Sequence, residues 1–292
     1  MAAFFERMYP QGQAAQESLL QPARLRAMVV PREHGAWGML LVPLLTGAVV
    51  AAGKGANVEA LILFVLAALA LFWMRTPVEA WLGTTAIRAQ SAAERATVIR
   101  VIIPLALLAV AAIGGLFALG LWRGLLIIGA IAAVAFVLQA VVKGLGRRGR
   151  MPAQIVGAVG LTSTAAGAYY VSTGRLDHIP ITLWLANWLF AGNQVHYVQI
   201  RIRGSKLATM SDKVRQAYGF LAGQIILLTT VLLLVRYEVL PVLAVLAFVP
   251  GLARGFLWFL RGAEVLDVHK LGFAELAQSI VFGALLCLAY RW

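Results

Sequence analysis

Charge is what this 292-residue sequence has least of: 13% of its residues are Asp, Glu, Lys or Arg, against 61% hydrophobic, with a mean hydropathy of +0.85. A soluble domain carries roughly a quarter charged residues, so a water-soluble globule is excluded and the chain reads as an integral membrane protein. Cysteine is nearly missing as well. Cys287 stands alone, which rules out an internal disulfide and leaves the compartment unmarked by redox chemistry. The first 30 residues lack an apolar core of signal-peptide length. They read as a cytosolic, partly disordered tail, 1–30, ahead of a single transmembrane helical domain, 31–292. The end of that tail, Ala23 to Val30, has the pattern of a short basic amphipathic segment lying on the membrane surface. The formal charge of +13 comes with no nucleic-acid-binding motif. No nucleic acid is implied, since basic residues gathered at one membrane face are the ordinary signature of topology and of contact with membrane lipids.

What is present is a series of apolar stretches long enough to cross about 30 Å of hydrocarbon. They are Ala36 to Ala52, Val58 to Met74, Val101 to Leu121, Leu125 to Val142, Pro152 to Thr173, Ile179 to Val198, Ala217 to Val235, Val239 to Trp258 and Phe273 to Tyr290. With the N-terminus inside, this alternation leaves only Lys54, Arg123, Arg175, Arg236 and Arg291 of the 25 Lys and Arg on the outside, as the positive-inside rule requires. The expected fold is an all-α polytopic bundle of about nine transmembrane helices, N-terminus in and C-terminus out. Outer links such as Trp122-Arg123-Gly124 are too short for anything but tight hairpins, so function is expected on the cytosolic side. There the stretch Glu79 to Ile99 has an amphipathic pattern that predicts a helix lying over the bundle. Gly219 with Gly223, and Gly251 with Gly255, recur four apart and read as packing notches.

Mid-span positions hold almost no ionisable groups, only neutral polar ones such as Asn187, Gln194, Gln224 and Gln278, which argues against a proton-coupled pump. Charge gathers at the inner helix ends. Pro31-Arg32-Glu33-His34-Gly35-Ala36-Trp37-Gly38 sets three ionisable side chains at the mouth of the first apolar run, where each needs a partner, water or a ligand. One reading is an interfacial anchor, with Arg32 on lipid phosphate and Trp37 in the aromatic belt. The other is a site. The second span leads into Arg75-Thr76-Pro77-Val78-Glu79, and the sixth ends with Asn193, His196, Tyr197, Arg201 and Arg203. Asn193, His196, Ile200 and Arg203 share one helical face, with Tyr197 and Arg201 on the adjacent one. Together these groups suit a cytosol-facing cavity for an anionic head on an apolar tail. In that cavity Arg32, Trp37, Arg75, Asn193, His196, Tyr197, Arg201, Arg203 and Glu275 would bind, and Glu33 with His34 would act as base or polarising pair. For Arg201 and Arg203 the plain alternative is contact with lipid phosphate. For Glu275, placed at the opening of the last helix, it is stabilisation of that helix N-terminus. His34, His196 and His269 show no metal-ligand spacing, so no metal or cofactor is implied.

The run Pro31 to Gly38, continued by Leu40-Leu41-Val42-Pro43-Leu44-Leu45-Thr46-Gly47, resembles the signature of the YwiC-like family of bacterial membrane proteins. Arg75 to Pro77, Arg201 to Arg203 and Gly272 to Glu275 extend the likeness. The resemblance implies a multi-pass protein of the bacterial cytoplasmic (inner) membrane and names no reaction. More distantly, nine helices with long inner loops after the second and sixth resemble the UbiA superfamily of intramembrane prenyltransferases. That family holds Mg²⁺ on Asp-rich motifs at the ends of those two helices. Here the corresponding places contain Arg75, Thr76, Pro77 and Glu79, and Asn193, Gln194, His196 and Gln199, with no Asp. A transferase of this kind would have to hold diphosphate on Arg rather than on Mg²⁺. The expected function is therefore binding or processing of an amphiphilic anionic lipid of prenyl or quinone-like type. The alternatives are a carrier of a small anion or lipid, lined by Thr162, Ser163, Thr164, Tyr169, Tyr170, Ser172 and Thr173, or a non-catalytic membrane assembly factor.

Overall fold

The computed structural model describes residues 22–31, 34–85, 87–205, 207, 209–262 and 266–291, and every regular element among them is helical. A helical segment at 22–29 precedes ten α-helices. They are α1 His34–Ala52, α2 Val58–Leu82, α3 Ala92–Ala118, α4 Trp122–Gly144, α5 Arg150–Thr162, α6 Thr164–Thr173, α7 His178–Arg203, α8 Met210–Arg236, α9 Ala244–Leu260 and α10 Val268–Ala289. Each expected span falls on one of these helices, except the fifth, which is shared between α5 and α6. Six helices, α1 to α4, α8 and α10, are long and apolar enough to cross a membrane. Their exposed faces are greasy: Ile127, Ile131, Val134, Phe136, Val137 and Leu138 on α4, and Leu107 and Val110 on α3, are all exposed. Apolar surface on that scale is covered by hydrocarbon, and the chain is a multi-pass membrane protein.

The helix ends follow local chemistry. Asp177 opens α7 by accepting from Ile179 N, Thr209 opens α8 by accepting from Asp212 N, and Asp267 opens α10 by accepting from His269 N and Lys270 N. Glu275 is therefore not at the start of the last helix, as the apolar boundary suggested, but two turns inside it. The predicted helix over Glu79 to Ile99 does not form either. α2 continues through Pro77 to Leu82 and stops at Gly83, whose φ of +71° favours glycine. Ser91 immediately precedes α3. Ser91 Oγ accepts from Glu94 N while the Glu94 carboxylate accepts from Gln90 N and Ser91 N, a reciprocal cap that explains the restart.

The expected fifth span is interrupted at Ser163. Three successive hydroxyls there turn back onto the helix: Thr162 donates to Ala158 O, Ser163 to Gly160 O and Thr164 to Leu161 O. Such side-chain bonds compete with the helical ladder and bend it.

Residues group into two compact units, one drawn from Met1–Glu33 with Val65–Gly115, the other from His34–Phe64 with Leu116–Trp292. In the first unit, Met28 is fully buried against Ala80, Ala89 and Val98, so the segment expected on the membrane surface instead docks one face on protein. Arg24 holds it there by a 2.7 Å ion pair to Glu94 and a bond to Arg88 O, and Trp73 Nε1 donates to Val29 O.

In the second unit α1 packs on α6 and α10, α5 on α4 and α7, and α9 on α8 and α10. The α1–α6 approach depends on Gly47, where a Cβ would collide with the Ala165 backbone. Gly38 lies against Leu276 and Ser279, and Gly283 against Val42 and Thr46, so α1 and α10 run parallel. Gln194 meets Glu275 while Thr182 meets Tyr290, so α7 runs against both. One end of this unit thus gathers the start of α1, the end of α7, the first half of α8, the end of α9 and the start of α10.

Candidate functional site

The first unit contains a cleft of about 270 Å³ between the 22–31 segment, the last turns of α2 and the turn after Gly83. Ala27, Val30, Phe72 and Ala80 give it apolar walls, and Arg75, Thr76, Glu79 and Thr85 give it polar ones. Arg75 Nε donates to Glu79 Oε1 at 3.0 Å, one helical turn on. Its two terminal NH₂ groups make no hydrogen bond among the described residues, so the charge is oriented by Glu79 and still has donors for a ligand.

The second unit holds a buried polar cluster at the end where the five helix segments meet. Glu275 is 6% exposed, and Arg254 Nη1 donates to its Oε1. The Arg254 guanidinium lies over the Tyr197 ring, 4.0 Å from the centroid, a cation–π contact strengthened by desolvation. Arg201 is near enough for its charge to act on both Glu275 and Tyr197. Asn193 Oδ1 accepts from Gln224 Nε2, and His196 meets the Phe220 ring edge-on. Glu275 Oε2, Arg254 Nε, Gln224 Oε1 and Gln278 Nε2 are buried without hydrogen-bond partners among the described residues, an unusual concentration of unsatisfied polar atoms. Gly251 and Gly255 are indeed notches, but polar side chains fill them: Asn193 and Gln278 sit against Gly251, and Gln224 against Gly255.

Of the residues singled out from the sequence, Asn193, His196, Tyr197, Arg201 and Glu275 come together in this cluster, and Arg203 is exposed on the last turn of α7. Arg75 belongs to the cleft of the first unit. Trp37 is half-buried on α1, one residue before the contact of Gly38 with α10. Arg32, Glu33 and the side chain of His34 lie outside the described residues. Arg254 was not foreseen as a site residue, because it passes for a positive-inside residue. Its position inside an apolar helix was the available signal, since arginine there demands an acid partner.

Lys213 is a second cation hidden by the charge count. It is 1% exposed, donates to Trp258 O at 3.0 Å and Arg261 O at 2.5 Å, and lies over the Trp258 ring. It closes the C-terminal end of α9, where carbonyls lack helical donors and the dipole favours positive charge.

No curated protein and no solved structure matches the chain. Residues 30–169 match the family described as YwiC-like protein, a stretch that begins just ahead of the Pro31 to Gly38 motif and runs through the α5–α6 interruption. Over that stretch, a little under half of the chain, it is similar to the YwiC-like family.

Proposed function

We propose that this protein resides in a bacterial cytoplasmic membrane with its N-terminus inside, and that it binds or processes an amphiphilic anion of prenyl or quinone-like type at the cytosolic face. The observation that carries this reading is the cleft around Arg75. It pairs apolar walls from Phe72, Ala80 and Val30 with a guanidinium that keeps donors in reserve, the combination that fits an anionic head on a hydrocarbon chain. The Arg254–Glu275 pair beside Tyr197 and Arg201 adds support, because ionisable groups inside spanning helices default to functional roles. In this proposal Glu33 and His34 remain the candidates for a base or polarising pair. Arginine takes the place that metal-held carboxylates occupy in the distantly similar UbiA prenyltransferases.

Mass spectrometry of lipids retained through detergent purification tests the proposal. A discrete anionic lipid should accompany the wild type and be depleted in Arg75→Ala. An identical bulk-lipid profile in both proteins refutes binding at the cleft.

A second reading, a carrier, is favoured by the Tyr169 and Ser172 hydroxyls of α6, which are buried with no hydrogen-bond partner among the described residues. Solute uptake into proteoliposomes separates it from the first.

A further inference from the structure

The walls of the first unit's cleft restrict the kind of head group it can take. Among the described residues that line it, Arg75 and Glu79 are the ionisable ones, paired at 3.0 Å. Glu79 Oε1 accepts from Arg75 Nε. A guanidinium has a side edge that contains Nε and an end edge formed by its two terminal nitrogens, so this bond engages the first and leaves the second whole. That end edge offers two parallel N–H groups in one plane, matched to the two oxygens of a carboxylate. Thr76 lines the cleft as well, with a hydroxyl that makes no hydrogen bond among the described residues, whereas Thr85 already gives its hydrogen to Ile87 O at 2.9 Å.

Charge narrows the choice further. Glu79 keeps one negative charge in the cleft, and the site lies at the last turns of α2, where the carbonyl end of a helix adds a partial negative charge of its own. A monoanion brings one more negative charge to the guanidinium. A phosphate monoester brings nearly two near neutral pH, and a diphosphate more, with no second cation among the described lining residues to meet them. Size agrees with a compact head: about 270 Å³ is at the small end of ligand pockets, room for one head group and the first carbons behind it.

We infer that the cleft selects a monocarboxylate, one planar carboxylate on an apolar body, over phosphate and diphosphate heads, and that Glu79 is the residue that sets this preference. Arg75 grips the carboxylate end-on, Thr76 adds a third hydrogen bond, and Val30, Phe72, Ala80 and Ile87 hold the first carbons. Glu79 orients the guanidinium, and its charge turns away a second negative charge on the ligand. The inference rests on the reading of this cleft as a site for an anionic amphiphile and names the head group that it takes.

The test is binding of radiolabelled octanoate to the full chain in lipid nanodiscs, with empty nanodiscs as background and octyl phosphate, which has the same tail length, as competitor. Octanoate should bind saturably, and octyl phosphate should displace it about tenfold less effectively than unlabelled octanoate does near neutral pH. Arg75→Lys should lose most of the octanoate affinity, because an ammonium is a point charge without the paired N–H groups. Glu79→Gln keeps an acceptor for Arg75 Nε and removes the charge, so octyl phosphate should gain about fivefold or more relative to octanoate. Octyl phosphate binding as tightly as octanoate, with both lost in Arg75→Ala, overturns the inference and leaves the amphiphile reading standing. A preference for octanoate that Glu79→Gln leaves unchanged also overturns it, by taking the selectivity away from Glu79. Saturable binding of neither ligand, or binding that Arg75→Ala leaves intact, overturns the amphiphile reading and this inference with it.

Discussion

Removing the carboxylate at position 275 puts the buried charge cluster to its hardest test. The side chains of Arg254 and Glu275 are 16% and 8% exposed, so Glu275→Ala strands a guanidinium against the Tyr197 ring. Arg201 makes matters worse, because the carboxylate that both arginines act on is gone. Breaking a buried pair by deleting one partner typically costs about 3–5 kcal/mol, and Arg254 Nε already lacks a hydrogen-bond partner, so no relief comes from that side. For a chain of this size each kcal/mol corresponds to about 2–4 °C, which predicts a loss of roughly 6–20 °C in detergent. Replacing both partners, Arg254→Met with Glu275→Leu, should restore most of it, because two apolar side chains carry no desolvation penalty. Thermal unfolding of wild type, both single variants and the double variant gives the coupling directly. A Glu275→Ala protein within about 1 kcal/mol of wild type would show that water reaches the pair and that the cluster is not a dry interior site.

Other outcomes follow from the same structure. Gly47→Ala should destabilise by about 1–3 kcal/mol or more, since the new methyl group meets the Ala165 backbone; an unchanged unfolding temperature would refute the close α1–α6 approach. Lys213→Met should remove the hydrogen bonds that Lys213 Nζ gives to the carbonyls of Trp258 and Arg261, at about 1–3 kcal/mol, and hydrogen exchange should quicken locally across 258–262. Orientation can be read by labelling: in a Cys287→Ser background, cysteines at positions 54 and 291 should react with an impermeant maleimide from outside, and one at 205 only after permeabilisation. The reverse pattern would invert the assigned topology.

The helices were legible because apolar runs ended by Gly, Pro or charge define them, and the ends of α1 to α4, α8 and α10 follow those runs to within nine residues. Their polar ends were less so. Gly83 and the Ser91–Glu94 cap carry the signal for the turn before α3, but the alternation of apolar and charged residues across Glu79 to Ile99 resembles an amphipathic helix more than a turn. The hydroxyls at 162–164 read as a polar lining, and only the structure shows them bonding back to their own helix. Asn193, His196, Tyr197 and Glu275 were visible as chemistry-bearing residues. That Arg254 is the partner of Glu275 was not, because the pairing depends on how α9 and α10 are set against each other, which no local pattern encodes. Lys213 was hidden for a related reason: a cation near a helix end looks the same in sequence whether it faces lipid phosphate or caps a neighbouring helix.

The packing of α1 has a consequence for biosynthesis. Its contacts at Gly47, Thr46 and Gly38 are with Ala165, Asn187 and Ser279, all made by ribosomes long after α1 itself. Helix α1 must therefore wait in the bilayer until α10 is inserted beside it. Chains cut short before α10 would expose the seam that holds α1, and quality-control proteases of the membrane would have a ready mark by which to recognise them.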